Sequence, residues 1–136
     1  MGYSLSREEI EFFKDFRGSL GVLEFNRLSF LPRRIYWVTD SSENVTRGAH
    51  AHKSLNQIFV VLSGSVTIDL FKGSEKQTLS LVAEGPILKL GPGYWRNIEL
   101  STPESLLLVL CDQEFAESDY IRDWEEYLGW YKANES

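Results

Sequence analysis

From residue 19 onward the apolar residues fall into runs of four to seven positions, some continuous and some alternating with polar residues, separated by Gly, Pro, Ser and Asn. Runs this short, rich in β-branched residues and closed by turn formers, predict strands rather than helices. The candidates are Ser19 to Phe25, Arg34 to Val38, Gln57 to Leu62, Ser65 to Phe71, Gln77 to Val82, Ile87 to Leu90, Asn97 to Leu100 and Leu106 to Cys111. Ser63 and Gly64 join the third run to the fourth, which predicts a hairpin with Gly64 at positive φ. The even spacing of strands and turns predicts an all-β antiparallel sandwich or barrel.

Two segments depart from that period. Ser118 is placed to cap a helix in which Ile121, Trp124, Leu128 and Tyr131 recur at steps of three and four, with Asp123, Glu125 and Glu126 facing water. At the other end, Ser6 and Glu9 have the spacing of a capping box, while Ile10, Phe12 and Phe13 fit a strand nearly as well. No repeat, low-complexity tract or linker divides the chain, so one domain is expected over residues 1–136.

Composition narrows the functional classes. The chain has 136 residues, 43% of them hydrophobic and 13% aromatic, enough to bury a core. No apolar run approaches the roughly 20 residues of a membrane span, and the N-terminus lacks the basic start and apolar stretch of a signal peptide, which predicts a cytoplasmic protein away from membranes. Cys111 has no second cysteine to pair with, so core packing is its expected role. The formal charge of −6 arises entirely after residue 111: residues 1–111 hold 12 acidic and 12 basic side chains, residues 112–136 hold 8 and 2. An acidic end argues against a nucleic acid polymer as partner and fits the solvated face of a helix.

The chemistry concentrates in Arg47-Gly48-Ala49-His50-Ala51-His52, which contains both histidines of the protein. In a strand, alternate side chains share a face, so His50 and His52 point one way and Ala51 the other. Four residues then precede Gln57, and six more precede Gly64. This spacing resembles the first motif of the cupin superfamily, which implies a small jelly-roll β-barrel followed here by a short C-terminal helix. Cupins carry Glu where Gln57 stands, and a third histidine after a Pro-Gly turn, near the place of Arg96 in Gly91-Pro92-Gly93-Tyr94-Trp95-Arg96. A neutral amide and a cationic guanidinium do not suit a divalent ion, so neither a metal nor another cofactor is expected.

The resemblance narrows further. Arg17-Gly18-Ser19-Leu20, Arg34 to Val38, Arg47 to Lys53, Gly64-Ser65, Trp95 and Ser118-Asp119-Tyr120-Ile121-Arg122 together resemble the WxcM-like sugar-nucleotide 3,4-ketoisomerases. That resemblance implies conversion of dTDP-4-keto-6-deoxyglucose to a 3-keto isomer, in deoxysugar biosynthesis. It also implies a homodimer with exchanged N-terminal strands, in which Arg17 enters the partner's site.

Moving a keto group from C4 to C3 needs a base at C3, stabilisation of an enediolate and a proton returned to C4. By resemblance, His50 is the base and His52 orients the sugar oxygens or shuttles a proton between them, although spacing alone does not rank the two. Arg47, Arg17 and Arg96 are the candidates for stabilising the enediolate. Arg33, Arg34 and Lys53 are candidates for the diphosphate, and Tyr36, Trp37 and Trp95 for the sugar or base pocket. The competing readings are a non-catalytic cupin that binds a sugar nucleotide, a metal-dependent oxygenase helped by Glu99 or Asp69, and a sugar 3,5-epimerase.

Overall fold

The computed structural model describes residues 2–40 and 45–135. The strands are β1 (Tyr3–Ser6), β2 (Ile10–Asp15), β3 (Gly18–Leu23), β4 (Arg34–Thr39), β5 (Thr46–His52), β6 (Gln57–Ser63), β7 (Ser65–Lys72), β8 (Glu75–Val82), β9 (Ile87–Leu90), β10 (Trp95–Leu100), β11 (Leu106–Cys111) and β12 (Tyr120–Ile121). One helix, α1 (Trp124–Asn134), follows them. Two five-stranded antiparallel sheets, in the orders β1-β9-β6-β11-β4 and β12-β5-β10-β7-β8, enclose the core, and β2 and β3 form a separate hairpin. This is the jelly-roll arrangement expected of a cupin. Among the described residues, no helix is long and apolar enough to cross a membrane.

Burial explains the two kinds of run. In β7, Val66, Ile68 and Leu70 point inward and their neighbours lie nearer solvent, giving clean alternation. Strand β6 is covered on both faces: Phe59 and Val61 enter the core between the sheets, while Ile58 and Val60 pack with Ile10, Phe12 and Leu23 of the hairpin. That double coverage is why Gln57 to Leu62 reads as an unbroken apolar run. Gly64 turns β6 into β7 at φ +71°, with Thr102 and Ser105 so close that a side chain there would strike them.

Both terminal segments depart from a helical reading. Ser6 and Glu9 are hydrogen-bonded, but inside a turn between β1 and β2, and Ile10 begins a strand. At the other end the helix begins six residues later than Ser118, which lies in a short 3-10 turn over Glu117–Asp119. Tyr120 and Ile121 instead pair with His52 and Ala51 of β5, a tertiary pairing that overrides the helical period. Asp123 becomes the cap, its carboxylate accepting the Glu126 N–H at 2.9 Å.

The helix is fastened by Tyr127, which is fully buried. Its hydroxyl lies 2.9 Å from the Phe71 carbonyl and 2.8 Å from that of Gly93, and accepts the Gly73 N–H at 3.0 Å. Tyr127→Phe leaves that N–H unpaired, so urea denaturation is expected to find the variant about 1–3 kcal/mol less stable. A loss below half a kcal/mol would remove the hydroxyl from the fastening.

Candidate active site

The site lies inside the barrel at the β5 and β10 pairing, where His50 stands opposite Arg96. Alternation alone would send Arg47 to the face opposite His50, since they differ by an odd number of positions. A bulge corrects this: Arg47 pairs with Ile98 and His50 with Arg96, so three steps along β5 match two along β10. Gly48 at φ +93° and Ala49 at φ +24° make the bulge, and a Cβ on Gly48 would press on Arg96 at 3.3 Å. Arg47 and His50 therefore line one cavity of about 290 Å³ with Arg34, Tyr36, Tyr120 and Arg122.

His50 and His52 share a face, and their Nε2 atoms are 3.2 Å apart. His50 Nδ1 contacts the Gly48 carbonyl, and His52 Nδ1 lies 3.0 Å from Asp119 Oδ2. The Tyr120 ring packs on both imidazoles, with centroids at 4.9 and 4.4 Å, and the Arg122 guanidinium stacks on Tyr120 at 4.1 Å. Arg34 lies over Tyr36 at 5.0 Å. Ala51, on the opposite face, is buried with Trp95, Ile121 and Tyr127.

Arg96 is 1% exposed, and one of its terminal nitrogens has no hydrogen-bond partner. Its other terminal nitrogen donates to Gln57 Oε1 at 2.6 Å, and Gln57 lies 3.3 Å from the Tyr36 hydroxyl. The two positions where a cupin would have its glutamate and third histidine thus hold an amide and a guanidinium bonded to each other. That donor set does not fit a divalent ion, and among the described residues no group of three or more His, Cys, Asp or Glu side chains is placed to hold one.

Burial first, then the Arg96 guanidinium, pulls both imidazoles down to a pKa of about 3. For His50 the next contributors are His52 and Arg122, partly countered by the Gly48 carbonyl; for His52 they are Arg34 and Arg122. The Asp119 carboxylate favours the imidazolium of His52, but burial and three guanidinium groups outweigh it. Both rings are neutral near pH 7 and available as bases.

A stability consequence follows. Between the unfolded pKa of about 6.5 and the folded value of about 3, the unfolded chain binds protons that the folded chain refuses, so stability falls as pH falls through that window. Denaturation between pH 6.5 and 5 is expected to lose stability at a slope approaching about 1.4 kcal/mol per pH unit for each histidine. The doubly substituted His50→Asn, His52→Asn protein should show a much flatter profile, and an unchanged slope would contradict the assignment.

Of the residues singled out from sequence, His50, Arg47, Arg34, Tyr36 and Trp37 line the cavity, with His52 and Arg96 beneath it. Trp95 is elsewhere: as the neighbour of inward-facing Arg96 it points outward, its ring 5.3 Å from Trp124 and 5.7 Å from Tyr127. Arg33 and Lys53 do not line the cavity. Arg17, paired with Asp15 at the tip of the β2–β3 hairpin, is exposed outside it. Asp119, Tyr120 and Arg122 also reach the site, a placement that the sequence pattern does not assign to them. Reading residues 118 onward as helix hid the two-residue alternation that sends Tyr120 and Arg122 to the site and Ile121 to the core.

Residues 3–132 match the family described as FdtA, WxcM-like, C-terminal. The chain belongs to this family. Among FdtA-family and related proteins, it is 33% identical over 114 residues to the TDP-4-oxo-6-deoxy-alpha-D-glucose-3,4-oxoisomerase of Aneurinibacillus thermoaerophilus, a match covering 83% of this chain and 82% of that one. QdtA, a 3,4-ketoisomerase from Thermoanaerobacterium thermosaccharolyticum, superimposes with a TM-score of 0.89 at 31% identity, over 97% of this chain and 95% of that one. That structure is a histidine-to-asparagine mutant in complex with TDP-4-keto-6-deoxyglucose. WlaRB, the TDP-quinovose 3,4-ketoisomerase of Campylobacter jejuni, superimposes with a TM-score of 0.81 at 33% identity, over 93% and 97% of the two chains.

Proposed function

We propose that this chain is a sugar-nucleotide 3,4-ketoisomerase converting dTDP-4-keto-6-deoxyglucose to a dTDP-3-keto-6-deoxyhexose, in deoxysugar biosynthesis. The observation that carries the reading is a pair of neutral imidazoles, His50 lining a cavity ringed by Arg34, Arg47 and Arg122 and His52 directly beneath it with its Nε2 3.2 Å from that of His50. Neutral imidazoles suit proton abstraction beside a carbonyl, and guanidinium groups suit a diphosphate and an enediolate.

In this mechanism His50 Nε2 takes the proton from C3. The C–H electron pair forms the C3–C4 double bond, and the carbonyl π electrons move to O4, giving an enediolate held by arginine. His52 Nε2 takes the proton of O3 and passes it to O4, so O3 carries the charge. The His50 imidazolium then returns its proton to C4 as the C3 carbonyl forms, and both histidines end neutral. Arg34 and Arg122 bind the diphosphate, and Tyr36 lines the sugar or base pocket, while Trp37, its neighbour in β4, borders the cavity with its side chain on the exposed outer face of the strand.

The deciding experiment is proton NMR of the protein with dTDP-4-keto-6-deoxyglucose in deuterated buffer. A 3-keto product is expected; in H2O its H4 coupling gives the stereochemistry, and in deuterated buffer deuterium at C4 reports exchange of the His50 imidazolium proton with solvent before its return. Binding without product and without exchange at C3 would replace this reading with that of a non-catalytic sugar-nucleotide-binding module.

The active form is a homodimer in which the N-terminal strands are exchanged, the partner's copies replacing the contacts that β1 makes with β9 and the β2–β3 hairpin makes with β6 within one chain, and Arg17 reaches the partner's cavity. Three features support this: Phe16 at the hairpin tip is 98% exposed, Phe13 and Leu20 present apolar surface beside it, and the edge strand β4 exposes Ile35 and Trp37. Light scattering at assay concentration is expected to give a dimer. A fully active monomer would refute it.

A further inference from the structure

Asp119 is 10% exposed at its side chain and carries more hydrogen bonds than a surface carboxylate needs. Oδ1 accepts the Ser54 N–H at 2.8 Å and the Ser54 hydroxyl at 2.7 Å, and Oδ2 faces His52 Nδ1 at 3.0 Å. Its backbone is held independently, since its carbonyl accepts the Lys53 N–H at 3.0 Å and its own N–H donates to Ala116 at 3.0 Å. The carboxylate is therefore aimed from both sides, and neither tie depends on the His52 contact.

We propose that Asp119 is a positioning residue that fixes the tautomer of His52, so that a lone pair and not an N–H points from Nε2 toward the cavity. The proposal deepens the ketoisomerase reading and rests on it for the catalytic consequence. An ionised carboxylate only accepts hydrogen bonds, so the proton of neutral His52 must sit on Nδ1. The Gly48 carbonyl imposes the same choice on His50, because it too only accepts.

The two Nε2 atoms are 3.2 Å apart, within hydrogen-bond distance, but with both ring protons on Nδ1 neither can donate to the other and both are left as acceptors. Such a pair is satisfied by a donor arriving from the cavity, and a hydroxyl beside a carbonyl supplies one. His52 in this tautomer accepts the hydroxyl proton of the sugar, and Asp119 stabilises the imidazolium formed while His52 holds it. In the other tautomer, Nε2–H could only donate, and the proton transfer between O3 and O4 would have no acceptor.

A purely structural role is the competing account, in which Asp119 staples residues 112–119 to the turn after β5 through Ser54. Asp119→Asn separates the two. The amide oxygen still accepts from both Ser54 donors, while the amide NH2 faces His52 Nδ1 and makes it an acceptor, moving the ring proton to Nε2. The expected result is a kcat lower by about 10²–10⁴-fold with KM little changed. Long-range 1H–15N correlation spectra should show His52 protonated on Nδ1 in the parent protein and on Nε2 in the variant, with the urea midpoint preserved.

Ser54→Ala supplies the converse control. It removes one bond of the staple and should lower the urea midpoint while leaving the His52 tautomer and most of kcat in place. An Nε2-protonated His52 in the parent protein overturns the proposal, as does an Asp119→Asn variant with parental kcat. A variant whose kcat falls while its tautomer stays on Nδ1 also overturns it. The spectra need no substrate, so failure of the parent protein to isomerise the dTDP sugar would reject the ketoisomerase reading and leave the tautomer assignment to be judged by the nitrogen shifts.

Discussion

Replacing His50 with Asn is expected to lower kcat for isomerisation by about 10³-fold or more and to stop exchange of the C3 proton with solvent, while KM changes little. The carboxamide approximates the imidazole in size but is not basic at neutral pH, so the base is lost without emptying the cavity. The substitution leaves in place Arg34, Arg47, Arg122 and Tyr36, the cavity residues proposed above to bind the substrate. Single-turnover NMR in deuterated buffer tests this directly. A variant that still exchanged C3 at the parental rate would move the base to His52 or to a residue outside the pair.

Arg96→Met is expected to have the second largest effect, with a signature in pH. The guanidinium is the largest contributor after burial to holding both histidines at a pKa of about 3. Methionine keeps the apolar stem and removes the charge, so both imidazole pKa values rise toward 6.5 and the acid limb of the rate profile moves upward with them. The parent enzyme should hold its kcat down to about pH 5, whereas the variant should already lose rate between pH 7 and 5. Loss of fixed positive charge near the developing enediolate lowers the plateau as well, by about 10²–10³-fold if it acts like a lost oxyanion donor. Gln57 Oε1 is left without its donor in a buried position, so the variant is also expected to be less stable by about 1–3 kcal/mol. An unshifted acid limb would show that burial alone keeps the histidines neutral.

The strands were legible because their signals are local. Alternation in Ser65 to Phe71, the closely spaced turn formers and the glycine at Gly64 each have one reading, and the structure agrees with it. His50 and His52 were legible for the same reason, since two positions in one strand settle a shared face. What stayed hidden depends on partners remote in sequence. Tyr120 and Ile121 leave the helical period because they pair with β5, and only that pairing brings Asp119, Tyr120 and Arg122 to the histidines. For Trp95 the residue type suggests a binding pocket, but its parity in β10 decides otherwise. With Arg96 turned inward, its neighbour had to join the aromatic cluster beneath α1.

The bulge at Gly48 and Ala49 carries a further consequence. It makes Arg47 and His50 neighbours in the cavity by inserting one step into a two-step rhythm, so the arrangement is encoded as a phase along the strand as much as in the residues themselves. Deleting Ala49 would leave two steps of β5 opposite two of β10, so plain alternation would still keep Arg47 and His50 on one face. Straightening the bulge with every residue kept is what would put the arginine half a period out, on the side where Ala51 packs against Trp95 and Tyr127. The extra residue is accommodated only while Gly48 and Ala49 hold their positive φ, so a β-branched residue at either position, which resists that conformation, acts on the phase of the strand and through it on the cavity.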